Sequence, residues 1–287
     1  MKKIVIATRP SKLALIQAEI IAKKLENYGF QFEILKIVTE GDEGKYDINR
    51  KSAFTQRLEN AVIAGKADLA VHSMKDLPSE RDKRLGVLYP VEDDPADCLV
   101  AKEELDLFEL PKGSKIGTSS LRRKALISLY RPDLNVIDLR GNVDTRLKRL
   151  EEGKFDALTL SCAAMKRLGL ETYKMKRLDP RYFLPAPGQG IIAVEYNKEN
   201  DKIKELEEFL YNERTNLRAN IEAEFNELMQ GGCHFPAGIY TEIYEENVSL
   251  KGYFSDGSKH IFATVITDKK NYKQGLMQLV AKLKGIQ

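Results

Sequence analysis

Cysteine is scarce: the 287 residues hold three, at 98, 162 and 233, too widely spaced for a disulfide framework, which points to a reducing compartment. No apolar run approaches the ~20 residues that cross a bilayer. The opening Met1-Lys2-Lys3-Ile4-Val5-Ile6-Ala7 has four apolar residues before Thr8 and Arg9. That is too few for a signal-peptide core and better suited to a strand, so a cytoplasmic protein is expected, with no membrane partner. Charge of one sign is lacking as well. The 46 Lys and Arg face 43 Asp and Glu, a net +3 that makes no electrostatic case for nucleic acid, and no basic stripe is interleaved with aromatics. Phosphate-binding loops are missing too. There is no Gly-x-x-x-x-Gly-Lys-Ser/Thr and no Gly-x-Gly-x-x-Gly after a strand, and Pro187-Gly188-Gln189-Gly190 precedes a strand instead of opening a helix.

What is present is an ordinary globular composition, 43% hydrophobic and 31% charged, in a chain long enough for two or three domains. The first half alternates strand and helix patterns. Strands are expected at 3–7, 32–38, 67–71, 86–89 and 98–101, with helices at 11–28 and 53–64. The alternation then restarts. Strands at 115–117, 136–139 and 157–160 are separated by helices at 120–130, 143–151 and 162–168. Such alternation implies parallel, doubly wound sheets. A strand at 191–195, helices at 202–211 and 214–229, three alternating strands at 239–244, 248–254 and 261–266, and a helix at 272–283 complete the pattern. The expected domains are 1–92 with 191–211, then 93–190, then an α+β unit at 212–287, with Asp93-Asp94-Pro95 as a crossing point.

In open α/β sheets, ligands bind beyond the carboxyl ends of the strands, where helix N-termini offer free N–H groups. Those junctions read Thr8-Arg9-Pro10-Ser11, His72-Ser73-Met74-Lys75-Asp76, Thr118-Ser119-Ser120-Leu121-Arg122-Arg123, Arg140-Gly141-Asn142-Val143-Asp144-Thr145-Arg146 and Lys166-Arg167. Each alone reads as solvated surface. Together they recur at one end of successive strands, against the preference of helix N-termini for acidic residues. Two unit charges ~4 Å apart repel by about 4 kcal/mol at an effective dielectric of ~20. Hydrogen bonds from arginine to carboxylate or phosphate contribute roughly 1.5–3 kcal/mol each. The cluster therefore calls for a ligand with several acidic groups.

Asp76 is an acid among these bases. It reads either as a helix cap or an ion pair with Lys75, or as a carboxylate that stabilises developing positive charge and moves protons. His72, in an apolar strand, reads as a core histidine before it reads as a base. Cys98 and Cys162 sit in apolar contexts and read as core. Cys233 follows two glycines in the loop Gly231-Gly232-Cys233-His234-Phe235-Pro236, where the backbone can come close to something bulky attached there. A reactive thiol is one reading of it. A zinc site lacks further ligands at the usual spacing, so no metal is expected.

The motifs Ile6-Ala7-Thr8-Arg9-x-Ser11-x-Leu13-Ala14, Ala70-Val71-His72-Ser73-Met74-Lys75-Asp76-Leu77-Pro78 and Gly117-Thr118-Ser119-Ser120-Leu121-Arg122-Arg123 make the chain resemble the porphobilinogen deaminase (hydroxymethylbilane synthase) family. Arg131-Pro132-Asp133-Leu134, Leu139-Arg140-Gly141-Asn142-Val143-x-Thr145-Arg146, Leu184-Pro185-Ala186-x-Gly188-Gln189-Gly190 and Gly231-Gly232-Cys233 continue the resemblance in the family's order. It implies a transferase that condenses four porphobilinogen molecules into a linear hydroxymethylbilane, with ammonia lost each time. It also implies a dipyrromethane cofactor joined by a thioether at Cys233, and Asp76 as the catalytic aspartate. Arg9, Ser11, Arg140, Arg146, Arg167 and Gln189 match substrate-side positions. Asp42, Lys75, Ser120, Arg122 and Arg123 match cofactor-side positions, Asp42 as the acceptor of pyrrole N–H groups. The fold implied is two doubly wound domains around a cleft, resembling periplasmic binding proteins, plus a third domain bearing the cysteine. A monomer is expected, with porphobilinogen as its small-molecule partner.

One stretch departs from the family. Its glycine-rich, lysine-bearing loop, roughly Gly-Gly-Lys-Gly-x-Phe, is replaced by Asn49-Arg50-Lys51-Ser52-Ala53-Phe54, and the following Lys-Glu by Gln56-Arg57. The rival from another class is a two-lobed polycarboxylate-binding receptor or regulatory protein. It accounts for the arginines but not for the Gly-Gly-Cys loop.

Overall fold

The computed structural model describes residues 3–40, 42, 55–78, 80–229 and 236–286. Cys233 and the loop 43–53 lie outside the described residues. Contacts divide the chain into two units, Met1–Asp93 with Ile191–Asn220, and Asp94–Gly190 with Ile221–Gln287.

In the first unit the strands are β1 (Lys3–Thr8), β2 (Gln31–Lys36), β3 (Leu69–Ser73) and β4 (Leu85–Glu92), with helices α1 (Lys12–Glu26) and α2 (Gln56–Ile63) between them. The second unit starts with β5 (Asp97–Ala101), β6 (Lys115–Gly117), α3 (Leu121–Tyr130), β7 (Asn135–Ile137), α4 (Val143–Glu151), β8 (Ala157–Ser161), α5 (Cys162–Arg167) and β9 (Met175–Arg177). The chain then returns through β10 (Ile191–Asn197) and α6 (Lys202–Leu210) to the first unit, and α7 (Glu213–Leu228) follows. It ends in β11 (Ala237–Ile243), β12 (Asn247–Ser255), β13 (His260–Asp268) and α8 (Tyr272–Lys284).

Both five-stranded sheets are doubly wound. Their orders are β2-β1-β3-β10-β4 and β7-β6-β8-β5-β9. Covering both faces explains why β1 is a continuous apolar run instead of an alternating one. Ile4 and Ile6 turn to one face, against Ala18, Ile21 and Leu25 of α1 and Leu206 of α6. Ala7 turns to the other, against Leu58 and Val62 of α2. The sheets are not all-parallel, as the alternation suggests, but mixed. β10 runs antiparallel to β3 and β4, and β5 runs antiparallel to β8 and β9. These are the two strands that follow the chain's passages from one unit to the other, after Asp93 and after Gly190. Each enters an interior position of its sheet without a crossover helix of its own, so nothing forces it parallel. β9 escapes sequence reading for a different reason. Met175-Lys176-Arg177 is a three-residue edge strand with two charges, as sheet edges commonly are.

The separate three-stranded sheet β11-β12-β13 is antiparallel and covered by α8, whose Leu276, Leu279, Val280 and Leu283 are buried. The close approach depends on Gly252, where a Cβ would stand 2.6 Å from Leu283 Cδ1.

Candidate functional site

The strand ends of the first unit form a pocket lined by Arg9, Ser11, Gln17, His72, Ser73 and Asp76 among others. The pocket is shallow and partly open to solvent. Ser11 is the N-cap of α1, its Oγ accepting from the Ala14 N–H at 3.4 Å. Thr8 locks the junction from below, its buried hydroxyl donating to Ala14 O at 3.1 Å. Gln17 was not singled out by sequence reasoning. It is buried and donates from Nε2 to Ser73 Oγ at 2.8 Å, joining α1 to the end of β3. The available signal was a polar residue in the apolar stripe of α1, between Ala14 and Ile21.

Asp76 closes a short 3-10 turn, Met74–Asp76, directly after β3. Among the described residues its half-buried carboxylate takes no hydrogen bond and no ion pair, which removes the helix-cap and Lys75-pair readings. A carboxylate left unmatched at a pocket wall is available to a ligand. Arg9 behaves differently. It grips Asp42, donating to Oδ1 from Nε at 3.0 Å and from Nη2. Thr39 donates to the other Asp42 oxygen from N at 3.1 Å and Oγ1 at 2.7 Å. Burial pulls the Asp42 carboxyl upward, but the bonds from Arg9 and Thr39 outweigh it and hold the group below the usual carboxylate range.

Lys75 sits half-buried in the same turn as Asp76. The other candidate cations belong to the second unit, where three of the sequence candidates meet on one residue that sequence reasoning missed. Asp97 opens β5, fully buried. It accepts from Arg122 Nη1 at 2.7 Å, from Arg123 Nη2 at 2.6 Å and from Gln189 Nε2 at 2.8 Å. Arg122 also donates to Leu184 O, Arg123 to Thr159 O and Gln189 to Pro95 O. Burial would raise the Asp97 carboxyl, but the two guanidiniums hold it far below the ordinary value. Two arginines against one carboxylate leave one positive charge in surplus. Ser120 caps α3 by accepting from Arg123 N–H at 3.4 Å.

Arg146 donates from Nε to Gly141 O at 2.8 Å, and Arg167 from Nη2 to Gly190 O at 2.5 Å. Gly141 has φ 113° with a Cβ position 3.0 Å from Thr145, so only glycine suits that turn. Arg140 is exposed. Cys98 and Cys162 are buried, as expected of core residues, and the neighbouring Cys98 thiol together with burial pushes the Cys162 thiol well up. No helix among the described residues is long and apolar enough to cross a membrane.

The strand ends of these doubly wound sheets present arginines, helix caps and, among the described residues, a carboxylate without a partner at Asp76. Residues 4–205 match the family model of porphobilinogen deaminase, dipyrromethane cofactor binding domain, and the chain belongs to the porphobilinogen deaminase family. It is 40% identical over 283 residues to a porphobilinogen deaminase of Fusobacterium nucleatum, covering 95% of this chain and 94% of that one. It is 42% identical over 264 residues to that of Nitratidesulfovibrio vulgaris, covering 89% and 83%. A looser likeness, 21% identity with a TM-score of 0.47, links 78% of the chain to 93% of the GlnP substrate binding domain 2 of Lactococcus lactis.

Proposed function

We propose that the protein condenses four porphobilinogen molecules head to tail on an enzyme-bound dipyrromethane, releasing ammonia at each step and, at the end, linear hydroxymethylbilane. As an enzyme of tetrapyrrole synthesis it is then a transferase, a hydroxymethylbilane synthase. The observation that carries this is the Asp76 carboxylate, unmatched among the described residues, in the Arg9 pocket of a chain belonging to this family.

The donor set fits the cofactor. A dipyrromethane bears acetate and propionate groups, and the Arg122–Arg123 pair keeps one uncompensated positive charge with Arg122 Nε unpartnered among the described residues. Lys75, Ser120, Arg122, Arg123 and Asp42 would hold it, with Cys233 as its thioether anchor in the 212–287 domain. When bound it supplies the pyrrole carbon to which the first substrate unit is joined. Arg9, Ser11, Arg140, Arg146 and Arg167 bind and orient the substrate's carboxylates, whereas Gln189, buried with both amide N–H groups donated to Pro95 and Asp97, supports the site from behind. Asp76 stands by the substrate's aminomethyl group. It stabilises the positive charge that develops as the C–N bond breaks, then takes a proton at its carboxylate oxygen. The sparse cysteines support a reducing, cytoplasmic setting.

The intact mass of the purified protein tests this directly. It should exceed the polypeptide mass by two linked pyrrole units, and Cys233→Ser should remove the excess. A bare polypeptide mass in a preparation that consumes porphobilinogen would refute the cofactor assignment. Arg140 tests the substrate side, because it is exposed and its replacement should leave stability within about 0.5 kcal/mol. Arg140→Leu should nevertheless lower kcat/KM for porphobilinogen by about tenfold or more, the worth of one charge-assisted bond. Unchanged kinetics would make Arg140 an ordinary solvated residue, and binding of polycarboxylates without turnover would favour the receptor reading.

A further inference from the structure

Behind the Asp76 pocket lies a group of buried ionisable side chains that the proposed chemistry has not yet used. Glu59 of α2, His72 of β3 and Glu195 of β10 are 9%, 5% and 0% exposed. His72 Nε2 stands 3.0 Å from Glu195 Oε2. Among the described residues, eight buried side-chain polar atoms lack a well-aligned hydrogen-bond partner, and five belong here: Thr55 Oγ1, Glu59 Oε1, His72 Nε2 and both Glu195 oxygens. His72 and Thr55 also line the pocket that holds Asp76.

Stability does not call for such a group. Apolar side chains of similar size would fill the space between helix and sheet at no electrostatic cost. Two buried carboxylates beside one imidazole cannot all be deprotonated without leaving uncompensated charge in a low-dielectric site. Burial raises the Glu59 carboxyl, the Glu195 and Asp82 charges add to the rise, and Thr55 and His72 oppose it. On the remaining side, burial raises the Tyr89 hydroxyl, with Arg81 opposing and Glu195 reinforcing.

We propose that Glu59, His72 and Glu195 form a proton relay at the back of the Asp76 pocket, in which Glu195 fixes the His72 ring and Glu59 exchanges the proton. The need arises from the reaction and rests on the function proposed above. In each condensation the C–N bond of the substrate's protonated aminomethyl group breaks, and ammonia leaves with the bonding pair. A C–C bond forms between the resulting cation and the α-carbon at the end of the enzyme-bound chain, and that carbon gives up its proton. One proton is thus freed per unit added. Asp76 accepts it and must discharge it before the following unit can react. The relay holds that proton away from the pocket and returns it to the departing ammonia, which leaves as ammonium.

Glu59 and Glu195 are positioning and relay residues, so their test reads more than rate. In the cofactor-loaded protein, Glu195→Gln and Glu59→Gln should each lower kcat for porphobilinogen by about tenfold or more, with KM within about twofold. The pH profile of kcat should also shift along its limbs, and Glu195→Asp should recover part of the rate. Intact mass and thermal unfolding confirm that the variants are folded and loaded. If Glu195→Gln does not fold, Glu59→Gln carries the test alone. A pH profile of unchanged shape with kcat within about twofold in the folded variants overturns the relay while the proposed function stands. If the unaltered protein releases no ammonia from porphobilinogen, both fall.

Discussion

Asp76→Asn should lose nearly all turnover, about a hundredfold or more in kcat, while remaining folded and carrying its cofactor mass. The substitution keeps the shape of the side chain and removes its charge and basicity. Its structural consequences should be small because the carboxylate makes no hydrogen bond or ion pair among the described residues. The two losses expected for catalysis act on one step each. Without the negative charge, the cationic transition state of C–N cleavage is less stabilised, and without the base, the proton freed by C–C bond formation has no acceptor in the pocket. Steady-state release of ammonia, with intact mass as the control for cofactor content, measures the effect. A rate within about threefold of the unaltered protein would remove Asp76 from the chemistry.

Asp97→Asn should act on the fold. Asp97 is the buried counter-ion for two guanidiniums that are themselves 3% and 6% exposed. Removing one member of a buried ion group leaves the others uncompensated, at a cost of about 3–5 kcal/mol. In a chain of this size that corresponds to a fall in Tm of roughly 10 °C. The pH dependence has a definite sign. The folded carboxyl is held far below the unfolded value of ~3.9. Its contribution is therefore complete above that value and is lost as pH falls through the lower, folded one. Acidification below about pH 4 should destabilise the unaltered protein more steeply than Asp97→Asn, in which the share of the slope due to Asp97 is gone. A change in Tm of under about 2 °C would show that Arg122 and Arg123 do not depend on Asp97.

Asp97 also shows why part of the site escaped sequence reading. Arg122 and Arg123 open α3 with positive charge where a helix favours negative charge, and that mismatch correctly called for an anion. The sequence suggested a ligand as the anion. Asp97 lies 25 residues from Arg122, in a stretch that reads as a crossing segment, and only pairing of β5 with β8 carries it under the helix. The same holds for Glu195, which aligns with Ala70 on β3 only because β10 returns from the second unit into the first sheet. Gln17 was hidden more lightly, as one polar residue in an apolar helical stripe.

Local patterns were legible because they are local. The strand-end position of Arg9 and Asp76 and the order of strands and helices each follow from side-chain periodicity and backbone preference within a few residues. The amino-acid sequence by itself determined the doubly wound class, the place of Asp76 at a strand end and, through its motifs, the family. Tertiary structure decided which charges are spoken for: Arg122, Arg123 and Gln189 converge on Asp97, Arg9 on Asp42, and Asp76 is left unmatched among the described residues. Burial and long-range strand order set those pairings, because the strength of a charge's interaction depends on the dielectric around it and on its nearest partner in space, neither of which is written at neighbouring positions of the chain.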